Sequence, residues 1–262
     1  MLNEKTPIEC YNVEGKQIYV KREDLFGTYP APPLAKLRGA RIVLQRLKAE
    51  GITKIAVFDT RISKAGQGIA YLCKEMDLKC LAGFPKLKDK DIAESHKIAK
   101  EVLGAELMSL VAGRTAICYA RFKKEAQSLG YYVLPLGLTF SETSHAVELI
   151  SRAETKPFNS IVLSAGTGVI SSGVAAGTDC TVYAVSCGMN NKRQWKRIQT
   201  LRPDKLFCNL ILVQPEYDYY DALDTTQCPF PTSPYYDMKA WTWLLKNYDR
   251  LAKPVLFWNI GV

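Results

Sequence analysis

The stretch Ser160-Ile-Val-Leu-Ser-Ala-Gly-Thr-Gly-Val-Ile-Ser-Ser-Gly173 joins an apolar run to a turn of glycine, serine and threonine. Small residues that can open a helix follow the turn. Glycines let backbone N–H groups approach an anion, and the N-terminus of a helix favours negative charge. The stretch therefore predicts a strand, a phosphate-binding turn and a helix. The alternative is a tight turn in which glycine is needed only for steric reasons.

Similar apolar runs alternate with amphipathic segments along the rest of the chain. Seven runs predict strands, at Lys54–Phe58, Leu78–Phe84, Tyr131–Leu136, Ser160–Leu163, Thr181–Ser186, Leu210–Val213 and Val255–Trp258. Six segments predict helices, at Leu37–Glu50, Gly68–Met76, Asp91–Leu103, Thr115–Leu129, Ser144–Ala153 and Asp237–Asn247. Such runs suit parallel strands covered on both faces. The order predicts an α/β fold.

The composition limits the class of protein. No signal-peptide pattern and no run of eighteen apolar residues is found, so we expect a cytoplasmic protein. Eight scattered cysteines and two histidines predict reduced, mostly buried thiols and no metal site. The net charge of +9 fits an acidic partner, such as nucleic acid or a phosphorylated substrate, as well as an ordinary basic surface.

A lysine near the first helix resembles a cofactor-binding residue. The segments Tyr19-Val-Lys-Arg-Glu-Asp-Leu25 and Ala35-Lys-Leu-Arg-Gly39 are similar to the "K-R-D-D-L … N-K-x-R-K" region of 1-aminocyclopropane-1-carboxylate (ACC) deaminases and D-cysteine desulfhydrases. These enzymes belong to the tryptophan-synthase-β-like (fold type II) superfamily, which uses pyridoxal phosphate (PLP). The resemblance implies that Lys36 holds PLP as a Schiff base, although Ala35 replaces the family's asparagine. The alternative is a solvated lysine on an amphipathic helix.

The resemblance extends to the glycine-rich turn and to the domain plan. Gly166, Thr167 and Gly168 match the superfamily's "G-T-G-G-T-x-x-G" phosphate loop, while Val169 and Ile170 replace its next glycine and threonine. Ser171 or Ser172 could supply the lost hydroxyl. The implied fold has two three-layer α/β/α domains with mostly parallel sheets and the cofactor between them. The predicted domains are residues 1–49 with 149–262, which bind PLP, and a small substrate-loop domain, residues 50–148. Dimerisation is common in the superfamily, so a homodimer is possible.

A carboxylate near the C-terminus completes the implied cofactor site. Pro234-Tyr-Tyr-Asp-Met-Lys-Ala240 resembles the "D-P-V-Y-E-G-K-S/A" segment of ACC deaminases, which matches Tyr236 to the tyrosine and Asp237 to the glutamate that faces the pyridine nitrogen. A carboxylate there keeps the ring protonated and strengthens it as an electron sink. The alternative is that Asp237 caps the following helix.

The predicted substrate loop departs from the family. Asp59-Thr-Arg-Ile-Ser-Lys-Ala-Gly-Gln67 aligns with "G-G-I-Q-S-N-Q-T-R", which puts Ser63 on the serine and the cation of Lys64 on the asparagine. The resemblance implies that this loop touches the cofactor ring and the substrate, so Arg61, Ser63 and Lys64 predict a wider and more basic pocket. The alternative is a solvated loop with exposed charges.

A second, weaker resemblance implies a reaction that would explain the net positive charge of the chain. Small bacteriophage PLP enzymes decarboxylate an amino acid attached to modified thymine in DNA, and such a substrate would account for the positive charge and the opened loop. Candidate nucleic-acid contacts are Arg61, Lys64, Lys192, Arg193, Trp195, Lys196 and Arg197; the alternative for residues 190–197 is an exposed basic helix.

We therefore predict a PLP-dependent lyase acting at an amino-acid α-carbon. The favoured reaction is decarboxylation of an amino acid carried on DNA, in the host cytoplasm if the chain is phage-encoded. The predicted catalytic residues are Lys36, Ser63 and Tyr236. A small-molecule deaminase or desulfhydrase and a catalytically silent nucleic-acid-binding descendant are the alternatives.

Overall fold

The computed structural model describes residues 4–86, 91–214 and 216–261 and has the predicted α/β fold. Its strands are β1 (Ile8–Val13), β2 (Lys16–Arg22), β3 (Lys54–Phe58), β4 (Lys79–Lys86), β5 (Glu106–Val111), β6 (Tyr132–Val133), β7 (Ser160–Ala165), β8 (Thr181–Ser186), β9 (Leu210–Val213) and β10 (Val255–Asn259). Its helices are α1 (Leu37–Ala49), α2 (Ala65–Glu75), α3 (Glu94–Glu101), α4 (Thr115–Ser128), α5 (Ser141–Glu154), α6 (Val169–Ala176), α7 (Asn191–Leu201) and α8 (Asp237–Asn247).

The chain divides into two compact units. The described residues among 29–32 and 40–139 form the small unit, and those among 2–28, 33–39 and 140–262 form the large unit. The domain boundaries expected after residues 49 and 148 stay a prediction.

The large unit is built on a six-stranded sheet with the strand order β1-β2-β10-β7-β8-β9. All neighbouring strands are parallel except β1, which is antiparallel to β2. Alternate residues of β7 enter two different cores: Ile161 and Leu163 pack with α5 and α6, whereas Val162 packs with α8. The sheet is therefore covered on both faces, which explains its continuous apolar runs.

This register brings the ends of two central strands to one edge. β7 and β10 run parallel, with Val255 opposite Ser160 and Trp258 opposite Leu163. The turn after β7 and the C-terminal residues after β10 therefore leave the sheet side by side. Ligands of open α/β sheets bind beyond this carboxyl edge.

The small unit contains a four-stranded sheet with the order β5-β4-β3-β6, in which every pair is parallel. The side chains of Phe58, Leu81 and Phe122 form part of its core. The segment 59–64 connects β3 to α2 and contains most of the predicted substrate loop.

Some details differ from the sequence-based expectations. The hairpin of β1 and β2 was not predicted, because β1 is an edge strand whose partly exposed polar residues interrupt the apolar pattern. The predicted strand at Tyr131–Leu136 is reduced to the two residues of β6. All eight cysteines are free, but only four are buried, and Cys10 and Cys208 are exposed. Within the described ranges, no helix is both long and apolar enough to cross a bilayer.

Candidate active site

The glycine-rich turn after β7 has the backbone geometry of an anion cradle. Gly168 adopts a left-handed conformation (φ +87°) and is the N-cap of α6, where no side chain caps the free N–H groups. The hydroxyl of Thr167 is buried and has no hydrogen-bond partner among the described residues. Uncapped N–H groups and an unpaired hydroxyl suit a phosphate group.

The four residues that follow Gly168 differ in what their side chains contact. The side chains of Val169 and Ile170 are buried, Ile170 in the core, so only their backbone N–H groups could bind an anion. Ser171 donates its hydroxyl to the Gly168 carbonyl and Ser172 to the Val169 carbonyl, both within the first turn of α6. Both serine hydroxyls therefore donate to backbone carbonyls of this turn, whereas Thr167, which matches the first threonine of the pattern, has the unpaired hydroxyl.

A buried glutamine, which was not predicted from the sequence, donates hydrogen bonds to the backbone of the cradle. Gln194 of α7 is fully buried, and its Nε2 donates to the carbonyls of Ala165 (2.8 Å) and Gly166 (3.0 Å). Nothing in the local sequence pattern marks it, because its partners lie 28 and 29 residues away.

Lys36 lies immediately before α1 and is half-buried. The hydroxyl of Thr143 donates to the Lys36 carbonyl at 3.2 Å, and a Cβ added to Gly39 would lie 2.1 Å from the Thr143 backbone nitrogen. Arg38 is paired with the buried carboxylate of Glu23 at 3.0 Å. The backbone of Lys36 is therefore held on a rigid element, as an amine that forms a covalent bond to a cofactor requires.

Asp237 is a buried carboxylate rather than a helix cap. Its Oδ1 accepts from the Ser164 hydroxyl at 2.5 Å and its Oδ2 from the Gly261 backbone N–H at 3.2 Å, whereas the N-cap of α8 is Tyr236. Burial raises the pKa of Asp237 to about 7, while the hydrogen bond from Ser164 acts in the opposite direction. Among the described residues, no cation lies within 4.0 Å of this carboxylate.

The C-terminal turn connects Asp237 to the segment of Lys36. Gly261, which donates to Asp237, packs so closely on this segment that a Cβ would lie 2.0 Å from the Pro33 carbonyl oxygen. On the other side, the Tyr236 ring lies 4.0 Å from the position of a Cβ on Gly166. The large unit thus brings the segment that contains Lys36 close to the Gly261 turn that binds Asp237, and it brings Tyr236 close to the cradle.

Tyr236 has an aromatic partner that the sequence did not reveal. The hydroxyls of Tyr219 and Tyr236 are 2.7 Å apart, and their rings meet edge to face at a centroid distance of 5.9 Å. Both side chains are half-buried. Tyr219 therefore fixes the hydroxyl of a predicted catalytic residue.

The predicted substrate loop of the small unit is closed by Asp59. This residue is 2% exposed and accepts from the backbone N–H groups of Thr60 (2.8 Å) and Gly66 (2.6 Å), which stand at the two ends of the loop. Lys64, at the N-cap of α2, is half-buried, and burial lowers its pKa. Ser63 accepts from the Ala65 N–H at 3.2 Å, and Arg61 is exposed.

The remaining candidates lie on α7, whose opposite side supports the cradle. Lys192, Arg193 and Lys196 are exposed, and Arg197 is half-buried. Trp195 is half-buried and packs on Phe207 at a centroid distance of 6.2 Å. The predicted exposed basic helix is present, and contact with nucleic acid stays a prediction.

The large-unit residues fit PLP in three respects. The cradle supplies N–H donors and an unpaired hydroxyl for a phosphate, Lys36 supplies an amine, and Asp237 supplies a buried carboxylate without a cationic partner. A protonated ring nitrogen beside Asp237 would offset the cost of burying that charge.

Comparison with curated proteins decides the family. A glycyl-dTMP PLP-dependent decarboxylase of Pseudomonas phage M6 is 32% identical to the chain over 280 aligned positions, which span the whole of both proteins. The chain belongs to the family of this decarboxylase. Membership of the decarboxylase family confirms the predictions of a PLP-dependent lyase and of the phage enzymes as relatives. No protein-family model matches the sequence.

Solved structures confirm the fold of this decarboxylase family member. An ACC deaminase homologue superimposes with a TM-score of 0.83, at 19% identity, over 98% of this chain and 89% of its own. Threonine deaminase isoform 2 from Solanum lycopersicum gives 0.70 at 14% identity, over 99% and 84%. At these identities the likeness shows the fold alone, so it does not support a deaminase reaction for this chain.

In this decarboxylase family member, Gly168→Ala is expected to weaken PLP binding about tenfold and to lower the free energy of unfolding by ~1–2 kcal/mol. An added Cβ would lie 2.7 Å from Ile198 Cγ1 on a left-handed backbone, which shifts the cradle N–H groups. PLP titration by absorbance and thermal unfolding measure the two effects.

Gly104→Ala is the matched control for Gly168→Ala. Gly104 has φ +75° with no atom within 4 Å of an added Cβ, so the variant keeps the backbone strain without the displacement. It should lose stability only. Equal PLP affinity in both variants would contradict the role of Gly168.

Proposed function

We propose that this chain is a PLP-dependent decarboxylase that removes CO₂ from a glycyl group carried on a thymidine nucleotide within DNA. The observation that carries the proposal is the full-length similarity to the phage glycyl-dTMP decarboxylase. The buried, cation-free carboxylate of Asp237 supports it, because loss of CO₂ leaves an electron pair on the α-carbon that a protonated ring must accept.

Each large-unit residue has a defined task in this proposal. The N–H groups at Gly166–Ile170 and the Thr167 hydroxyl would hold the cofactor phosphate, and Asp237 would hold a proton at the ring nitrogen. Lys36 Nζ would hold the cofactor and would donate a proton to the substrate α-carbon, in the place of the carboxylate lost as CO₂. PLP, when bound, supplies an electron-accepting ring conjugated to the substrate α-carbon. Tyr236 orients the reacting group through its hydroxyl, which Tyr219 holds.

The small-unit loop is assigned to the substrate. Ser63, Lys64 and Arg61 are proposed to bind its anionic groups, and Asp59 keeps the loop in one conformation through two backbone hydrogen bonds. Burial lowers the pKa of Lys64, and a bound substrate anion would favour the charged form of this amine.

The experiment compares substrates for one holoenzyme preparation. Glycyl-dTMP as a free nucleotide, the same group within DNA, free ACC and free D-cysteine are incubated separately. We expect CO₂ from the glycyl substrates, faster from DNA, and no product from the free amino acids. Release of ammonia and an oxo acid from ACC or D-cysteine would contradict the proposal in favour of the deaminase alternative.

The DNA-carried substrate predicts a salt-dependent role for the exposed face of α7. Replacing Lys192, Arg193 and Lys196 together by glutamine should raise KM for glycyl-DNA about tenfold and flatten the dependence of log KM on log salt concentration by roughly 2–3. Activity on the free nucleotide should not change, since the cradle side of α7 is intact.

A triple variant on α4 controls for net charge. Arg121, Lys123 and Lys124 are also exposed, and their replacement by glutamine removes the same charge elsewhere. An equal rise of KM in both triple variants would show a general charge effect, and it would contradict α7 as the DNA-binding face.

A further inference from the structure

The first turn of α8 contains a buried lysine that the proposed reaction does not use. Lys239 is 1% exposed, and its Nζ donates to the backbone carbonyls of Asp218 and Tyr219, the latter at 3.3 Å. Among the described residues, no carboxylate lies within 4.0 Å of this amine. Burial lowers the pKa of Lys239, while the electrostatic effects of Cys187, Asp221 and Asp218 act in the opposite direction.

An ammonium in this environment contributes little to folding. A buried ammonium that has lost its water and makes no ion pair is costly, and an apolar side chain of similar volume is often as stable or more stable there. Two carbonyl oxygens satisfy its donors only in part. A role other than stability therefore accounts better for a lysine at this position.

The two carbonyls belong to the segment that presents Tyr219. The Tyr219 hydroxyl is 2.7 Å from the Tyr236 hydroxyl, and Tyr236 directly precedes Asp237 at the start of α8. On its other side, Tyr219 packs against Gly188, where an added Cβ would lie 2.7 Å from the Tyr219 Cβ. Lys239 is thus the connection between the backbone of Tyr219 and the helix that carries Asp237.

We propose that Lys239 is a positioning residue, which holds the backbone at residues 218 and 219 so that the Tyr219 and Tyr236 hydroxyls stay paired at the active site. The inference rests on the proposed function, because the paired hydroxyls matter for turnover only if this site is catalytic. Lys239 itself touches neither substrate nor cofactor in this assignment.

The first test compares Lys239→Met with the wild-type holoenzyme. Methionine keeps the length of the side chain without its charge, so the melting temperature should be unchanged or higher and PLP absorbance should be retained. The kcat should fall about tenfold with a small change in KM. Lys246→Met, on the same helix but exposed and paired with Glu216 at 2.9 Å, is the control and should retain full activity.

A double-mutant cycle tests whether Lys239 acts through Tyr219. If it does, Lys239→Met combined with Tyr219→Phe should be no slower than Tyr219→Phe alone. Additive losses, or a Lys239→Met enzyme within twofold of wild type, would overturn the inference. Lys239→Gln keeps an uncharged amide as a donor group and should recover part of the activity. Unfolding of both the Met and the Gln variant would also overturn the inference, since it would show a structural role.

A crystal structure of Lys239→Met gives a readout that needs no activity. The Tyr219–Tyr236 hydroxyl separation should lengthen beyond hydrogen-bonding distance, and an unchanged pair would contradict the inference. If the wild-type enzyme releases no CO₂, the proposed function is wrong. The separation of the Tyr219 and Tyr236 hydroxyls would still show whether Lys239 positions Tyr219.

Discussion

Lys36→Ala is expected to lower the rate of decarboxylation by about 10³-fold or more, because it removes both the amine that binds the cofactor and the proton donor. The backbone at this position is held by Thr143 and by the close packing of Gly39, so the variant should fold. CO₂ release measures the rate, and circular dichroism checks the fold.

Lys48→Ala is the control for this variant. Lys48 is exposed on α1, and its replacement should leave the rate nearly unchanged. A Lys36→Ala enzyme that keeps both its activity and its visible cofactor absorbance would show that another amine holds PLP.

Asp237→Asn is expected to reduce kcat about a hundredfold. The neutral amide cannot keep the ring nitrogen protonated, so the electron sink weakens, while the phosphate cradle and Lys36 still retain the cofactor. Asp249→Asn, an exposed position just after α8, provides the control. Equal kcat for wild type and Asp237→Asn would remove Asp237 from the site.

The same substitution should stabilise the cofactor-free protein at alkaline pH. Burial raises the pKa of Asp237 from 3.8 to about 7, so between these values the folded chain binds a proton that the unfolded chain does not. The free energy of unfolding of the wild type therefore falls as pH rises through this window. Asparagine has no such dependence, and we expect the variant to gain ~4 kcal/mol over wild type between pH 4 and pH 8. Urea unfolding across this range checks both the sign and the slope.

The strands β3, β8 and β9 and the helix α8 could be predicted from the sequence because their patterns are unambiguous. Their expected bounds agree with the structure, since the strands are short, mostly apolar runs and α8 has apolar residues at helical spacing. The hairpin β1–β2 was not predicted, because polar residues of its edge strand interrupt the apolar pattern of a strand. Its turn is formed by Glu14 (φ 51°) and Gly15 (φ 76°), a short sequence signal.

Only those residues of the candidate site that lie in recognisable motifs could be predicted from the sequence. Lys36, the Gly166 turn and Asp237 each lie in a recognisable stretch, and the structure brings these stretches together in one unit. The residues that support them were missed, because a contact such as Ser164 with Asp237 joins positions 73 residues apart and each looks ordinary in its own segment. Sequence reasoning also left open whether Asp237 caps its helix, which only the positions of its hydrogen-bond donors could answer.

Locating the cofactor on the chain is the most direct test of the account. The holoenzyme is treated with borohydride, which reduces a lysine–PLP Schiff base to a stable linkage, and the digested protein is mapped by mass spectrometry. Lys64 and Lys239 are internal competitors, because burial lowers the pKa of both. We predict the pyridoxyl group on Lys36; its recovery on Lys64, on Lys239 or on no lysine at all would contradict this assignment.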